Sequence, residues 1–239
     1  MKAEDSSPML GGEEFLSLVS HEIKNPLTSI TGFASFAEDA VRNNDVLSAL
    51  ESLDVVRSEA RRVLKLAEDL LDVSCVRAGR FTLHVERLDV LAIVEPLVKR
   101  YVTMTTRQIT VYAPPQLPHV VADPHRLGQV MENLISNAVK YSPDSTPIIV
   151  SLATGSSALR ISVSNCGGIP EDKVRMLFRR FVRLAVDSDG NGRRNGTGLG
   201  LYITRKIVEM HGGSITVTSS DTEGTTFTIE LPSEEETPN

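Results

Sequence analysis

Ser20-His21-Glu22-Ile23-Lys24-Asn25-Pro26-Leu27 sets a histidine and a carboxylate inside a run whose apolar residues recur at helical spacing. Leu16, Val19, Ile23, Leu27, Ile30, Ala34, Ala37 and Val41 follow at intervals of three and four, with a slip near Ile23. That spacing predicts a long helix with one buried face. His21 lies two positions from both Val19 and Ile23, about 200° around the helix, and so projects away from the stripe. Pro26 cannot donate to the carbonyl of Glu22, which predicts a bend or loosened turn below the histidine.

A second stripe follows, with Leu53, Val56, Ala60, Val63, Ala67 and Leu70 in unbroken three-four alternation. Arg42-Asn43-Asn44-Asp45 supplies the turn between them. Two amphipathic helices in an antiparallel hairpin cannot bury both seams alone, whereas two copies form a four-helix bundle. A homodimer is therefore expected, though periodicity alone would favour a plain structural bundle.

The chain has 239 residues and a net charge of −6. No Lys/Arg cluster stands out, so nucleic acid is not expected as a partner. Neither a signal-peptide start nor an apolar stretch of transmembrane length is present, and no membrane contact is expected in this segment. A cytoplasmic location follows, and a longer parent chain could still be membrane-attached. Cys75 and Cys166 lack paired metal-ligand spacing and read as reduced thiols. His84, His119, His125 and His211 are scattered and read as structural.

After Ser74 the helical period stops, and Ala78-Gly79-Arg80 breaks the helix. The organisation read from this is a flexible N-terminus over 1–11, a helical domain over 12–78, a linker over 79–88, a second domain over 89–232 and a frayed acidic tail over 233–239. Phe81 to Val85 reads as a short strand. Helices are expected at Val90 to Tyr101, Pro124 to Tyr141, Glu171 to Phe178 and Leu199 to His211. Strands are expected at Ile109 to Ala113, Ile148 to Ala153, Leu159 to Val163, Ser214 to Ser219 and Thr225 to Leu231. Strands cluster without regular βαβ alternation, so the second domain reads as an α+β sandwich with helices on one face of a mixed sheet.

Three features carry chemistry. A neutral imidazole has one nitrogen with a free lone pair and can attack phosphorus, so His21 is a candidate nucleophile, with Glu22 hydrogen-bonded to its ring N–H. No G-x-x-x-x-G-K-[ST] is present; Gly196-Thr197-Gly198-Leu199-Gly200-Leu201 instead offers backbone N–H groups and a following helix N-terminus to phosphate. Upstream, Asp187 to Asn195 is too polar and glycine-rich to pack and reads as a mobile lid. In the helix opened by Asp123 and Pro124, Asn133 and Asn137 share a face with Lys140 a turn on. Paired amide oxygens suit Mg²⁺ shared with phosphate and water.

Together these segments closely resemble the sensor histidine kinases from Phe15 to Pro232. Phe15 to Leu27 resembles their H box, Glu132 to Tyr141 their N box, and Phe178-Arg179-Arg180-Phe181-Val182-Arg183 their F box. Gly196 to Leu201 resembles the second glycine box, and Gly224-Thr225-Thr226-Phe227 the closing glycine turn. The resemblance implies a dimerisation and phosphoacceptor hairpin followed by a Bergerat-type ATP-binding domain. It implies that His21 takes the γ-phosphoryl of ATP with Glu22 as assisting base. Asn25 would occupy a position linked with dephosphorylating the partner, a response-regulator receiver domain whose aspartate receives the phosphoryl group. Asn137 would be the Mg²⁺ ligand, and Tyr141 would pack near the adenine. Asn133, Lys140, Asn165, Gly167, Gly168, Arg183, Gly196, Thr197, Gly198, Leu199, Gly200 and Thr225 complete the implied nucleotide site.

One motif departs from the family pattern. The first glycine box reads Asp-x-Gly-x-Gly in the family, and here Asn165-Cys166-Gly167-Gly168 puts an amide at the aspartate and omits a residue between the glycines. In the family that aspartate accepts a hydrogen bond from the adenine amino group, so the resemblance implies that losing the charge weakens this bond by about 1 kcal/mol. A catalytically weak scaffold or phosphatase is therefore the alternative reading. A free-standing ATPase is disfavoured, because an amide at Asn133 cannot act as a water-activating base.

Overall fold

The computed structural model describes residues 12–105, 107–155, 157–182 and 197–233, with side chains from residue 17 onward. The expectations for 1–11, for the lid at 187–195 and for the tail from 234 lie outside the described residues. The chain divides into two compact units, one ending at Gly79 and the other beginning at Arg80.

The first unit is a helical hairpin of α1 (Gly12–Arg42) and α2 (Val46–Arg77). α1 runs unbroken through Pro26. Asn44 takes a φ of 57° in the turn. Asp45 caps α2, its carboxylate accepting from the Ser48 N–H at 3.1 Å and the Ser48 hydroxyl at 2.7 Å. Those bonds hold the Asp45 carboxyl below its ordinary pKa. Within one copy the buried row of α2 is Ala49, Ser52, Leu66, Asp69, Asp72 and Val73, with Val56, Val63 and Leu70 of the predicted seam half-buried beside it. Leu53 of that seam is 51% exposed, and Ala60 and Ala67 are exposed too. Two adjacent rows of α2 satisfy the same three-four spacing, and α1 takes one of them. The other row leaves Leu50, Leu53, Leu64 and Leu71 exposed, with Phe36, Val46 and Leu47 also bare.

The second unit contains β1 (Glu86–Leu88), α3 (Leu91–Met104), β2 (Ile109–Tyr112), β3 (Val120–Ala122) and α4 (Pro124–Tyr141). It continues with β4 (Ile148–Thr154), β5 (Ala158–Asn165), α5 (Glu171–Val174), α6 (Gly200–Met210), β6 (Ser214–Ser220) and β7 (Gly224–Pro232). The main sheet runs β2-β4-β5-β7-β6, parallel between β2 and β4 and antiparallel elsewhere. Its inner face carries Ile148, Val150, Leu159, Ile161, Val163, Phe227 and Ile229, all buried. α4 supplies Leu127, Val130, Met131, Leu134, Ile135 and Ala138 to the same core. The outer face is polar, with Arg160 paired to Glu230 and hydroxyl pairs Ser162–Thr228 and Ser164–Thr226. This is the predicted mixed sheet with helices on one face.

Several local readings are corrected. Phe81 to Val85 is not a strand; the strand is Glu86–Leu88, paired with β3, which is too short for alternation to reveal. Phe81 is buried under the Arg126 guanidinium, 4.4 Å from its ring centroid, so part of the expected linker packs into the second unit. Ser233, expected in the tail, bridges to Val120 and donates its N–H to Ser157. α5 stops at Val174 and gives way to turns before Phe178.

Asp123 ties the unit together. Its carboxylate accepts the N–H of His84 at 2.9 Å and of Arg126 at 3.1 Å, and its own N–H donates to Nε2 of His211 at 2.9 Å. Burial opposes ionisation, yet these backbone bonds win and hold the carboxyl below its usual pKa. A lowered folded pKa stabilises above the ordinary carboxylate range, and that contribution is lost as pH falls through the folded value. Asp123→Ala should therefore cost about 1–2 kcal/mol in urea unfolding at neutral pH, and less in acid. An equal deficit at both pH values would contradict this.

Candidate functional site

His21 stands on α1 with its side chain 72% exposed. Its Nδ1 lies 3.3 Å from Nδ2 of Asn25, one turn along, and 3.9 Å from Oε1 of Glu22. The expected hydrogen bond between Glu22 and the ring is thus not made. Glu22 follows His21 by one residue and is turned about 100° around the helix, into the hairpin, where its side chain is only 7% exposed. There Nη2 of Arg62, from α2, approaches Oε2 of Glu22 at 3.5 Å, and Nη1 approaches Glu59 at 3.4 Å. With Nδ1 turned toward Asn25 and Glu22, Nε2 is the ring nitrogen left to face outward.

Arg62 escaped the sequence reading because it meets Glu22 only across the folded hairpin. A buried carboxylate needs a cationic or hydrogen-bonding partner, and Arg62 supplies one to Glu22 beside the His21 ring. In Arg62→Gln we expect His21 chemistry to slow about tenfold, with Arg62→Lys recovering most of it. An unchanged rate in the glutamine variant would remove Arg62 from the site.

In the second unit, α4 packs against the start of α6. Nδ2 of Asn133 donates to the buried Thr204 hydroxyl at 2.8 Å. Its Oδ1 lies so close to Gly200 that a Cβ there would come within 2.4 Å. Asn133 therefore docks α4 onto the first turn of α6. Asn137, four residues on along the same face, is half-buried and has no hydrogen-bond partner among the described residues. Nζ of Lys140 sits 4.8 Å over the ring of Tyr141, which is 49% exposed.

α6 begins at Gly200 with no side-chain cap among the described residues, and the start of such a helix favours an anion. The preceding turn is firmly built. Leu199 is fully buried, and its N–H donates to the Thr197 hydroxyl at 3.1 Å. Gly198 adopts a φ of +67°, and its carbonyl accepts the Phe181 N–H at 2.8 Å. Phe181 itself has a φ of +61°, a strained value for an aromatic residue. Arg183 and Gly196 lie outside the described residues.

The altered glycine turn is held from beneath by β6 and β7. The Ile169 N–H donates to the Ser219 hydroxyl at 2.8 Å, Ser219 and Thr225 share a hydroxyl bond at 2.7 Å, and Thr225 donates to the Gly167 carbonyl at 2.7 Å. Thr225, 3% exposed, thus supports the turn from below. Gly167 has a φ of +110°, and the site of its Cβ lies 3.4 Å from the Tyr141 carbonyl. Gly168 is packed so tightly on Asp221 that no Cβ fits. Cys166 is exposed, and Asn165 donates Nδ2 to its carbonyl at 2.8 Å. Among the described residues no cluster of His, Cys, Asp and Glu could hold a metal ion by itself.

Residues 13–79 match the family model for the His Kinase A (phospho-acceptor) domain, and residues 122–235 match that for the histidine kinase-, DNA gyrase B-, and HSP90-like ATPase. The chain is 35% identical over 230 residues to the sensor histidine kinase WalK of Bacillus subtilis, covering 93% of this chain and 37% of that protein. It is 31% identical to the adaptive-response sensory kinase SasA of Synechococcus elongatus, covering 92% of this chain and 59% of that one. The chain thus spans only part of the length of these relatives. Among solved structures, full-length ShkA in complex with AMPPNP shares the fold with a TM-score of 0.67 and 24% identity, over 92% of this chain and 46% of that one. The mycobacterial sensor histidine kinase MprB matches 63% of this chain and 98% of its own, with a TM-score of 0.54 and 26% identity.

Proposed function

The chain belongs to the histidine kinases, as their phosphoacceptor domain followed by their ATPase-type domain, and on that premise we propose that it is an ATP-dependent protein-histidine autokinase of a two-component system. The observation that carries the proposal is His21, exposed, with Nδ1 on the side of Asn25 and Glu22 and Nε2 facing outward. With the ring proton on Nδ1, on the Glu22 side, and the Asn25 amide turned so that its oxygen accepts that N–H, the Nε2 lone pair forms the N–P bond to the γ-phosphorus of ATP. The bond from that phosphorus to the β,γ-bridging oxygen breaks, and its electron pair leaves with ADP. Glu22, beside Arg62, stabilises the positive charge that develops on the ring and receives its Nδ1 proton.

The nucleotide would lie along α4, its phosphates at the uncapped start of α6 and its base toward Tyr141. Mg²⁺ would be held by Asn137 together with phosphate oxygens and water, neutralising charge on the transferred group. From His21 the phosphoryl group would pass to an aspartate of a response-regulator receiver domain, with Asn25 placed to serve the reverse dephosphorylation. The exposed row of Leu50, Leu53, Leu64 and Leu71 is the surface a second copy would cover, closing a four-helix bundle. No helix among the described residues is long and apolar enough to cross a membrane. A cytoplasmic position for this segment accords with its substrates.

Incubation with γ-labelled ATP and Mg²⁺ should give a protein adduct that is lost in acid and kept in alkali. Release of phosphate without an adduct would overturn the proposal. The second reading, a scaffold or phosphatase that binds ATP weakly, is favoured by Asn165 alone. Calorimetric titration with ATP and Mg²⁺ separates the two, since micromolar binding removes the case for a degenerate site.

A further inference from the structure

Asn165 ends β5 on the inner face of the sheet. Leu159, Ile161 and Val163 alternate inward beneath the helices, and Asn165 is the next residue in that series. Across the sheet it pairs with Ile148 on one side and Thr225 on the other, so it is the polar member that closes an apolar row. The turn after it packs on the last turn of α4, where Gly167 meets the Tyr141 carbonyl. From Asn133, which marks the start of α6, to Tyr141 is about 12 Å along α4. That is the reach of a nucleoside triphosphate with its phosphates on α6, which leaves the ring edge of the base at Asn165.

What Asn165 offers that edge differs from what a carboxylate would offer. One Nδ2 hydrogen is held by the Cys166 carbonyl, and the second Nδ2 hydrogen and Oδ1 have no partner among the described residues. The side chain therefore presents a donor and an acceptor together, where an ionised carboxylate presents acceptors only. A purine with an amino group at C6 donates to Oδ1. A purine with a keto group at C6 accepts from Nδ2 and donates its N1–H to Oδ1. The hydrogen-bonded support under Gly167 and Ile169 fixes the turn, so the side chain reads the base from a constant position.

We infer that Asn165 makes the nucleotide site accept 6-oxopurine nucleoside triphosphates alongside ATP, so that inosine and guanosine triphosphates serve as phosphoryl donors to His21. The inference rests on the nucleotide reading proposed above. Inosine triphosphate isolates the C6 and N1 change, because it lacks the 2-amino group of guanine.

The test titrates the whole chain with ATP and with inosine triphosphate, both with Mg²⁺, and repeats the pair on Asn165→Asp. The wild-type affinities should lie within about tenfold of each other, the scale of one neutral hydrogen bond. In Asn165→Asp the ratio should move toward ATP by at least about tenfold, since a carboxylate repels the C6 keto oxygen. Tight ATP binding with inosine triphosphate more than about a hundredfold weaker would overturn the inference and leave the kinase reading intact. An unchanged ratio in Asn165→Asp would overturn it as well. Binding of neither nucleotide would overturn the nucleotide reading and the inference with it. Adduct formation on His21 from γ-labelled inosine triphosphate is the matching activity readout, and its absence beside a good ATP signal counts against the inference.

Discussion

His21→Gln is expected to abolish the acid-labile phosphoryl adduct while leaving the protein folded and its nucleotide affinity unchanged. The glutamine amide has hydrogen-bonding groups, but its nitrogen lone pair is delocalised and cannot attack phosphorus. The loss should exceed a thousandfold, because no neighbouring group can take over the displacement; Asn25 is an amide and Glu22 is buried in the hairpin. Stability should change by less than about 0.5 kcal/mol, since an exposed side chain with one long hydrogen bond contributes little. Labelling, thermal unfolding and ATP titration of the variant check the three parts together. Label persisting in His21→Gln would place the phosphoryl group elsewhere and end the assignment.

The residues legible in the sequence are those whose partners lie within a turn of them. Asn133 and Asn137 share a face because helical geometry demands it, and Asp123 before Pro124 announces the start of α4. The strands at β4, β5 and β7 were legible as short runs between turns, and their clustering without regular βαβ alternation pointed to a mixed sheet with helices on one face. What escaped depends on partners far along the chain. Arg62 reaches Glu22 only because α2 folds back on α1, so a carboxylate read as touching its neighbour turned inward instead. The hydroxyl relay from Ser219 through Thr225 to Gly167 joins three segments, and no single one of them advertises it. β3 is three residues long, below the length at which alternation carries information. The division of the α2 stripe between the hairpin and its outer surface escaped for a different reason: two neighbouring rows obey one spacing, and the choice between them is made by α1.

That division bears on the altered glycine turn. Read alone, Asn165-Cys166-Gly167-Gly168 is a damaged motif, shorter by a residue and missing a charge. In the fold the shortened turn is fully supported, with Thr225 beneath Gly167, Ser219 beneath Ile169 and Asp221 against Gly168. Support of this kind fits a built site whose chemistry has changed better than one that has decayed, because a decayed turn has no use for a buried threonine under it.

Gly198→Ala should remove nucleotide binding while sparing the fold. Gly198 has a φ of +67°, which costs a residue with a Cβ about 1–2 kcal/mol. Its Cβ would also lie 2.8 Å from the Phe181 backbone and 3.0 Å from the Val182 carbonyl, contacts that no side-chain rotation relieves. Phe181 cannot yield cheaply, because its own φ of +61° is already strained and its N–H is committed to the Gly198 carbonyl. The turn must therefore move, and Leu199 and the uncapped start of α6 move with it, out of line with the phosphates. Strain and overpacking together come to about 2–5 kcal/mol, so ATP affinity should fall at least about thirtyfold. Because the clash lies in a connecting turn outside the sheet, unfolding of the second unit should shift by less than the loss in binding. Calorimetry on ATP with Mg²⁺ and urea unfolding of the nucleotide-free protein measure the two quantities separately. Affinity within threefold of wild type would show that this turn does not hold the phosphates. A collapse of the fold would be answered by Thr197→Ala, which removes only the hydroxyl that braces Leu199 and should weaken binding several-fold without a steric clash.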